Sequence, residues 1–195
     1  MAQQLTRDDL YSLEKYQEIR NDMRNEVMAH KKSRNLSIGP NVTMYFEDPI
    51  TIKYQIQEML RAEKIFDAEG ISEELDTYNP LIPDGTNWKG TMMIEYVNVD
   101  ERIEALANLI GIDRQTWVQV EGFDKVFAIT NEDLERETEE KTSAVHFMRF
   151  ELEDAMVGAA KKGAAISVGI DHKNYTHAVN PVPENYRVAL VNDLK

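Results

Sequence analysis

The chain has 195 residues, with 22 lysines and arginines against 35 aspartates and glutamates, a formal net charge of −13, and no cysteine. The lack of cysteine excludes thiol catalysis, disulfides, Cys-type zinc sites and iron–sulfur clusters held by this chain. The negative charge opposes nucleic-acid binding, which rests on Lys and Arg neutralising phosphates.

At about 150 residues per domain the length predicts one domain, 1–195, able to bury a sizeable core. The polar opening Met1 to Asp9 lacks the apolar core of a secretory signal, and no stretch approaches the roughly 20 apolar residues of a membrane span. A cytoplasmic protein without membrane contact is expected.

In chain order, Thr6 and Asp9 have the spacing of a capping box, predicting a helix from about Arg7. Leu10, Leu13, Tyr16, Met23 and Val27 continue it as an apolar stripe to about Ala29. His30-Lys31-Lys32-Ser33-Arg34 reads as its cationic C-terminus, offsetting the macrodipole, with a phosphate patch as the sharper alternative. Leu36–Ile38 and Val42–Phe46 flank the turn residues Gly39-Pro40-Asn41 and predict a hairpin. Asp48-Pro49 is a cap with proline at the first helical position. The helix that follows carries Ile52, Ile56, Met59 and Leu60 on one face, with Gly70 expected to end it and Ser72 to cap a short turn through Tyr78. Residues 1–78 thus form a helical and hairpin lobe, followed by a Pro/Gly-rich loop, 79–90, whose Leu81, Ile82 and Trp88 argue that it packs down.

From 91 to 195 the pattern is that of an α+β core: strand Thr91–Val97, helix Asp100–Ile110, hairpin Thr116–Glu121 and Lys125–Thr130, an acidic helix capped by Asn131, and strand Thr142–Leu152. That succession, 91–152, matches the ferredoxin-like βαββαβ order, mainly antiparallel. A helix Asp154–Lys162, a strand Ala164–Ile170 and a helix from Glu184 complete the chain.

Alternation assigns faces. Met92, Ile94 and Tyr96 point beneath the helices, and Met93, Glu95 and Val97 away; Val118 and Val120 point in, and Trp117, Gln119 and Glu121 out. In the last strand of the core Ala144, His146, Met148, Phe150 and Leu152 share the apolar phase, leaving Val145, Phe147, Arg149 and Glu151 on the other. Glu95, Glu121 and Arg149 then share a face with Trp117 and Phe147, and the N-terminal helices are its available cover. Such a cleft is a ligand-site candidate, and Gln57 and Arg61, one turn apart, are candidates to grip an anion from the helical side. The plain alternative is a cross-strand ion pair between Glu95 and Arg149.

A bulge would bring His146 to Glu95 and Glu121, a nitrogen and two oxygens of the kind iron, manganese or zinc accept, and hence a metal-assisted enzyme; simple alternation keeps His146 in the core. His172 and His177 are expected in a solvated loop. No phosphate-binding glycine loop or nucleophile elbow is present.

Tyr54-Gln55-Ile56-Gln57-Glu58-Met59-Leu60-Arg61, Tyr78-Asn79-Pro80-Leu81-Ile82-Pro83-Asp84-Gly85 and Glu139-Glu140-Lys141-Thr142-Ser143-Ala144-Val145-His146-Phe147, with Leu5-Thr6-Arg7-Asp8-Asp9-Leu10, resemble a bacterial family known only as domain of unknown function 3501. The resemblance covers nearly the whole chain and implies no catalytic residue or cofactor. Members are often encoded near rubrerythrin-like and iron–sulfur proteins, which implies redox partners and a place in peroxide physiology. The reading that follows is an accessory protein holding a small anion or a partner segment at Gln57, Arg61, Glu95, Glu121 and Arg149. The alternatives are the metal-assisted enzyme and a structural subunit whose cleft face is a homo-oligomer interface.

Overall fold

Gln57 decides how the chain begins. Its buried side-chain amide accepts from the Tyr11 backbone N–H at 2.6 Å and donates to the Tyr11 carbonyl at 3.3 Å, which prevents residues 10–12 from joining a helix. The Thr6–Asp9 box therefore caps only a 3-10 turn, Arg7–Asp9. Helix α1 (Leu13–Lys31) starts later, behind Ser12. These coordinates are a computed structural model that describes residues 4–195.

The hairpin β1 (Asn35–Ser37) and β2 (Val42–Phe46) forms as its turn residues predict. Asp48 and Thr51 make a reciprocal capping box for α2 (Pro49–Glu63). That helix ends six residues before Gly70, at Lys64 in the left-handed region with φ 58°. Gly70 instead lies in the first turn of α3 (Ala68–Tyr78), which Asp67 rather than Ser72 caps. The glycine is needed there because a Cβ would come within 2.6 Å of Ile65 Cγ2.

The remaining elements are β3 (Asn87–Ile94), α4 (Val99–Asn108), β4 (Thr116–Val120), β5 (Val126–Phe127), β6 (Ile129–Thr130), β7 (Val145–Glu151), α5 (Asp154–Lys161), β8 (Ile166–His172), β9 (Tyr175–Val179) and α6 (Glu184–Asn192). They build two antiparallel sheets, one ordered β1-β2-β3-β7-β6 and the other β5-β4-β8-β9. The α+β, antiparallel class is the one the sequence predicts. The two sheets turn apolar faces to one another around Trp88, Met92, Phe150, Val118, Val168 and Ile170, with residues of α5 and α6 completing the core. A smaller cluster, including Ile52, Ile56, Leu60, Leu75 and Ile82, binds α2, α3 and the segment after them.

The ferredoxin-like order does not hold. Its first and last strands, β3 and β7, are neighbours as expected, but β4 leaves that sheet and pairs with β8. The cause is shape. Trp117 of β4 lies across Gly169 of β8, where a Cβ would sit 2.3 Å from the indole. The vacant edge of β3 is filled by β2, so the hairpin assigned to the helical lobe belongs to the sheet, and the loop 79–90 gives its last residues to β3.

The acidic helix is also absent, and residues 131–140 form no helix. Leu134 is the segment's one large aliphatic residue and is exposed, so a helix would bury nothing. Its acids are instead pulled apart by arginines from elsewhere: Glu132 by Arg149 and Glu137 by Arg114.

Between α1 and α2, Glu58 accepts from the Tyr16 hydroxyl at 2.6 Å and from Arg20 through both oxygens at 2.7 and 2.8 Å. The Arg20 guanidinium above all, with the Tyr16 hydroxyl, holds the Glu58 carboxyl down to about 2 from an ordinary 4.5. A depressed acid contributes stability that is present above its unfolded value and lost as pH falls through the folded one. Wild-type stability is therefore expected to fall between about pH 4.5 and pH 2. In Glu58→Gln that part of the slope disappears, as urea titrations across the window will show; equal slopes in the two proteins would refute the assignment.

Candidate functional site

The face assignment read from alternation holds for β3 and β7 but not for β4, which lies in the other sheet with Trp117 buried, so Trp117 and Gln119 share no face with Glu95. Met92, Ile94, His146, Met148 and Phe150 are buried between the sheets, while Met93, Val145, Phe147 and Arg149 look outward. Over this outer face lie α2, α3 and the 3-10 turn Asn79–Leu81, and a groove remains between helices and sheet. It consists of two depressions of about 470 and 310 Å³ that share Tyr78, Leu81 and Phe147 in their walls. The larger is also lined by Pro80, Lys89, Glu132, Leu134, Met148 and Arg149.

Of the residues proposed from sequence, the groove contains Arg149 alone. Glu95 shares its face, yet Lys89 is the residue opposite Arg149, and Glu95 lies six positions further on, just past the end of β3, about 20 Å at 3.3 Å per residue. There it accepts from Thr43 Oγ1 at 2.9 Å. Glu121 is on the other sheet and accepts from the Ala165 backbone N–H. Gln57 is the clamp on Tyr11 described above, and Arg61 sits 3.7 Å from Glu58. The five do not converge, because alternation names a face and says nothing of position along it.

His146 joins neither glutamate. It is 1% exposed on the inner face opposite Met92, donates from Nε2 to the Ser143 carbonyl at 3.0 Å, and has Nδ1 3.9 Å from Asp113. Burial pushes its imidazole below the ordinary range. The bulge that the metal reading required is not made, and among the described residues no group of three or more His, Asp or Glu side chains converges as a metal site would need. His172 is not solvated either. It is buried at the end of β8 with Nε2 3.1 Å from the Ile110 carbonyl. The basic cluster after α1 is dispersed: Lys31 lies over the Tyr54 ring, and Arg34 is buried against Asp193 and Asp48.

Lys89 is the residue the sequence reading passed over. It lay within the loop assigned to 79–90, but carrying the Thr91 alternation two residues back puts it on the outer face. It is half-buried, its Nζ donates to the Pro80 carbonyl at 2.7 Å, and it makes no ion pair among the described residues. Burial pushes its ammonium below the ordinary range, with Arg149 adding to the effect and Asp84, Glu132 and Glu151 opposing it. Arg149, by contrast, is paired with both Glu132 and Glu151, and the Glu132 bonds above all raise its basicity.

The fold and groove define a class: a two-sheet α+β protein with a helix-covered, largely apolar cleft on one outer face and two cations at its wall. The chain belongs to the family described as Protein of unknown function (DUF3501), whose model matches residues 4–194. It is similar, at 50% identity and a TM-score of 0.93, to a novel protein of unknown function from Burkholderia pseudomallei K96243, over 98% of this chain and 100% of that one. A comparison with curated proteins found no match. No helix among the described residues is long and apolar enough to cross a membrane.

Proposed function

We propose that this chain is a binding protein for a small anion, held in the groove at Lys89 and Arg149. The observation that carries the reading is Lys89 itself. A half-buried ammonium without a carboxylate partner is a standing cost to the fold, and it faces a cleft of the size that small ligands fill, with apolar walls from Pro80, Leu81, Leu134 and Phe147 and acids from Asp76, Glu132 and Asp133. An anion entering there supplies the missing counter-charge, beside a guanidinium whose planar fork suits carboxylate and phosphate.

Arg149 is the residue that the sequence reading and the groove have in common. Glu95, Glu121, Gln57 and Arg61 are assigned no part in binding.

The test is to follow amide shifts around Lys89 by NMR during titration with sodium acetate, phosphate and sulfate at low ionic strength. Hydrogen bonds to charged groups are worth about 1.5–3 kcal/mol, so Lys89→Met and Arg149→Met should each weaken the best-bound anion by roughly 10- to 100-fold. The ligand-free Lys89→Met protein should also melt higher than wild type. A lysine whose folded value is depressed lets the unfolded chain bind more protons, so wild-type stability rises with pH toward the ordinary value near 10.5. Lys89→Met lacks that rise. Unchanged anion affinity in both variants would sink the proposal.

A further inference from the structure

Arg149 holds more than a wall position. Its Nε and Nη2 donate to the two oxygens of Glu132 at 3.0 and 2.8 Å, the parallel, two-pronged geometry in which a guanidinium receives a carboxylate. The partner comes from an unusual place. Glu132 lies in a stretch without helix or strand, just after Asn131 in the left-handed region at φ 59°. Its side chain is 54% exposed while that of Arg149 is 25% exposed. Leu134, two residues on, is 56% exposed and also lines the groove. An acid from a surface segment with little apolar burial of its own thus reaches in to occupy the fork of a more buried arginine.

Resting on the anion-site reading above, we infer that the ligand of this groove is a monocarboxylate with an apolar body, and that Glu132 is its internal stand-in, vacating the fork of Arg149 when the ligand's carboxylate takes it. Three observations converge on that class. The fork is already arranged for a planar carboxylate. The walls beyond it, from Tyr78, Pro80, Leu81, Leu134 and Phe147, are apolar and suit a hydrocarbon or aromatic body. Charge disfavours a ligand with more than one negative charge: with Glu132 displaced, Arg149 still pairs with Glu151 and Lys89 still feels Asp84, while Asp133 is paired with Arg136. Asp76 at the rim further disfavours a dianion.

Exchange of one carboxylate for another on Arg149 is close to balanced. The ligand's advantage is the apolar surface it buries and the proximity of its charge to Lys89; what opposes it is the high local concentration of the tethered Glu132.

Calorimetric titration of the full chain with sodium octanoate, octan-1-ol, sodium acetate and sodium phosphate tests the inference, with Glu132→Gln, Glu132→Ala, Lys89→Met and Arg149→Met as variants. Glu132 is exposed, and melting temperatures of its two variants close to wild type will confirm folding. Wild type should bind octanoate at least tenfold more tightly than acetate or octanol. Both Glu132 variants should bind octanoate at least tenfold more tightly than wild type. If octanoate affinity is the same in wild type and both Glu132 variants, the stand-in role falls, while the anion site survives as long as Lys89→Met weakens binding. If phosphate binds more tightly than octanoate, the carboxylate class is wrong and the site reading again survives. If octanol binds as well as octanoate, or if Lys89→Met and Arg149→Met leave every anion's affinity unchanged, both readings fail together.

Discussion

Arg34→Met is expected to cost about 3–5 kcal/mol of stability, the range for removing one partner of a buried ion pair and leaving the other charge uncompensated. Arg34 is 3% exposed. Its Nη1 and Nη2 donate to the two oxygens of Asp193 at 2.9 and 2.8 Å, and its Nε lies 3.0 Å from Asp48. Nη2 also reaches the Ala189 carbonyl at 3.3 Å. One side chain therefore joins the end of α1, the cap of α2 and the end of α6. Methionine fills similar volume, so the loss reads charge rather than packing.

The same substitution should show a signed pH dependence. Burial already holds the Asp193 carboxyl above its ordinary value even with Arg34 beside it; without the guanidinium it rises further. The folded variant then takes up protons as pH falls, and the gap to wild type should narrow between pH 7 and pH 4. Arg34→Met/Asp193→Leu should recover a large part of the loss, because it removes the Asp193 charge together with its partner and leaves Asp48 its contact with His30 at 2.5 Å. Urea unfolding of the three proteins decides it. A single-variant loss below about 1 kcal/mol, or no recovery in the double variant, would show that the cluster is wetter than its geometry implies.

Trp88→Ala should be comparably severe, about 3–5 kcal/mol, the usual range for emptying a buried aromatic site. Trp88 is fully buried, pairs across β3 and β7 with Phe150, and donates from Nε1 to the Leu190 carbonyl at 2.8 Å. Its loss opens a cavity between the sheets and also detaches the last turn of α6. Trp88→Phe separates the two effects. It keeps most of the apolar contact and removes only the indole bond to a carbonyl that still accepts from the Asp193 backbone N–H at 3.2 Å, a loss of about 0.5–1.5 kcal/mol. Denaturant midpoints should fall in the order wild type, Phe, Ala, with unchanged slopes if only the native state is affected. Equal midpoints for Phe and wild type would remove the α6 tether from the account.

Trp88 and Lys89 show how much was legible in the chain. Adjacent residues in a strand point to opposite faces, so one of this pair had to enter the core and the other to leave it. The Pro/Gly-rich composition of 79–90 concealed that the strand begins at Asn87 rather than Thr91. Once the strand is extended backwards, the same period of two that placed His146 inside and Arg149 outside also puts Lys89 on the outer face; the register of β3 on β7 sets it beside Arg149. The candidate site was thus half readable: its face and its arginine, but not its lysine or its true acids.

Local pattern alone determined the turn at Gly39-Pro40-Asn41, the Asp48-Pro49 cap and the inward and outward sets of β3 and β7. Each rests on residues within one turn or one pleat of each other, where backbone geometry leaves few choices. Which strands became neighbours, which acids met which arginines and whether residues 131–140 coiled were decided by the tertiary structure. These are settled by groups far apart in sequence: Trp117 needs the bare backbone of Gly169, Glu132 is drawn to Arg149, and Gln57 holds Tyr11 out of a helix. Such contacts form between surfaces that exist only once the chain has folded, and no spacing along the chain encodes them.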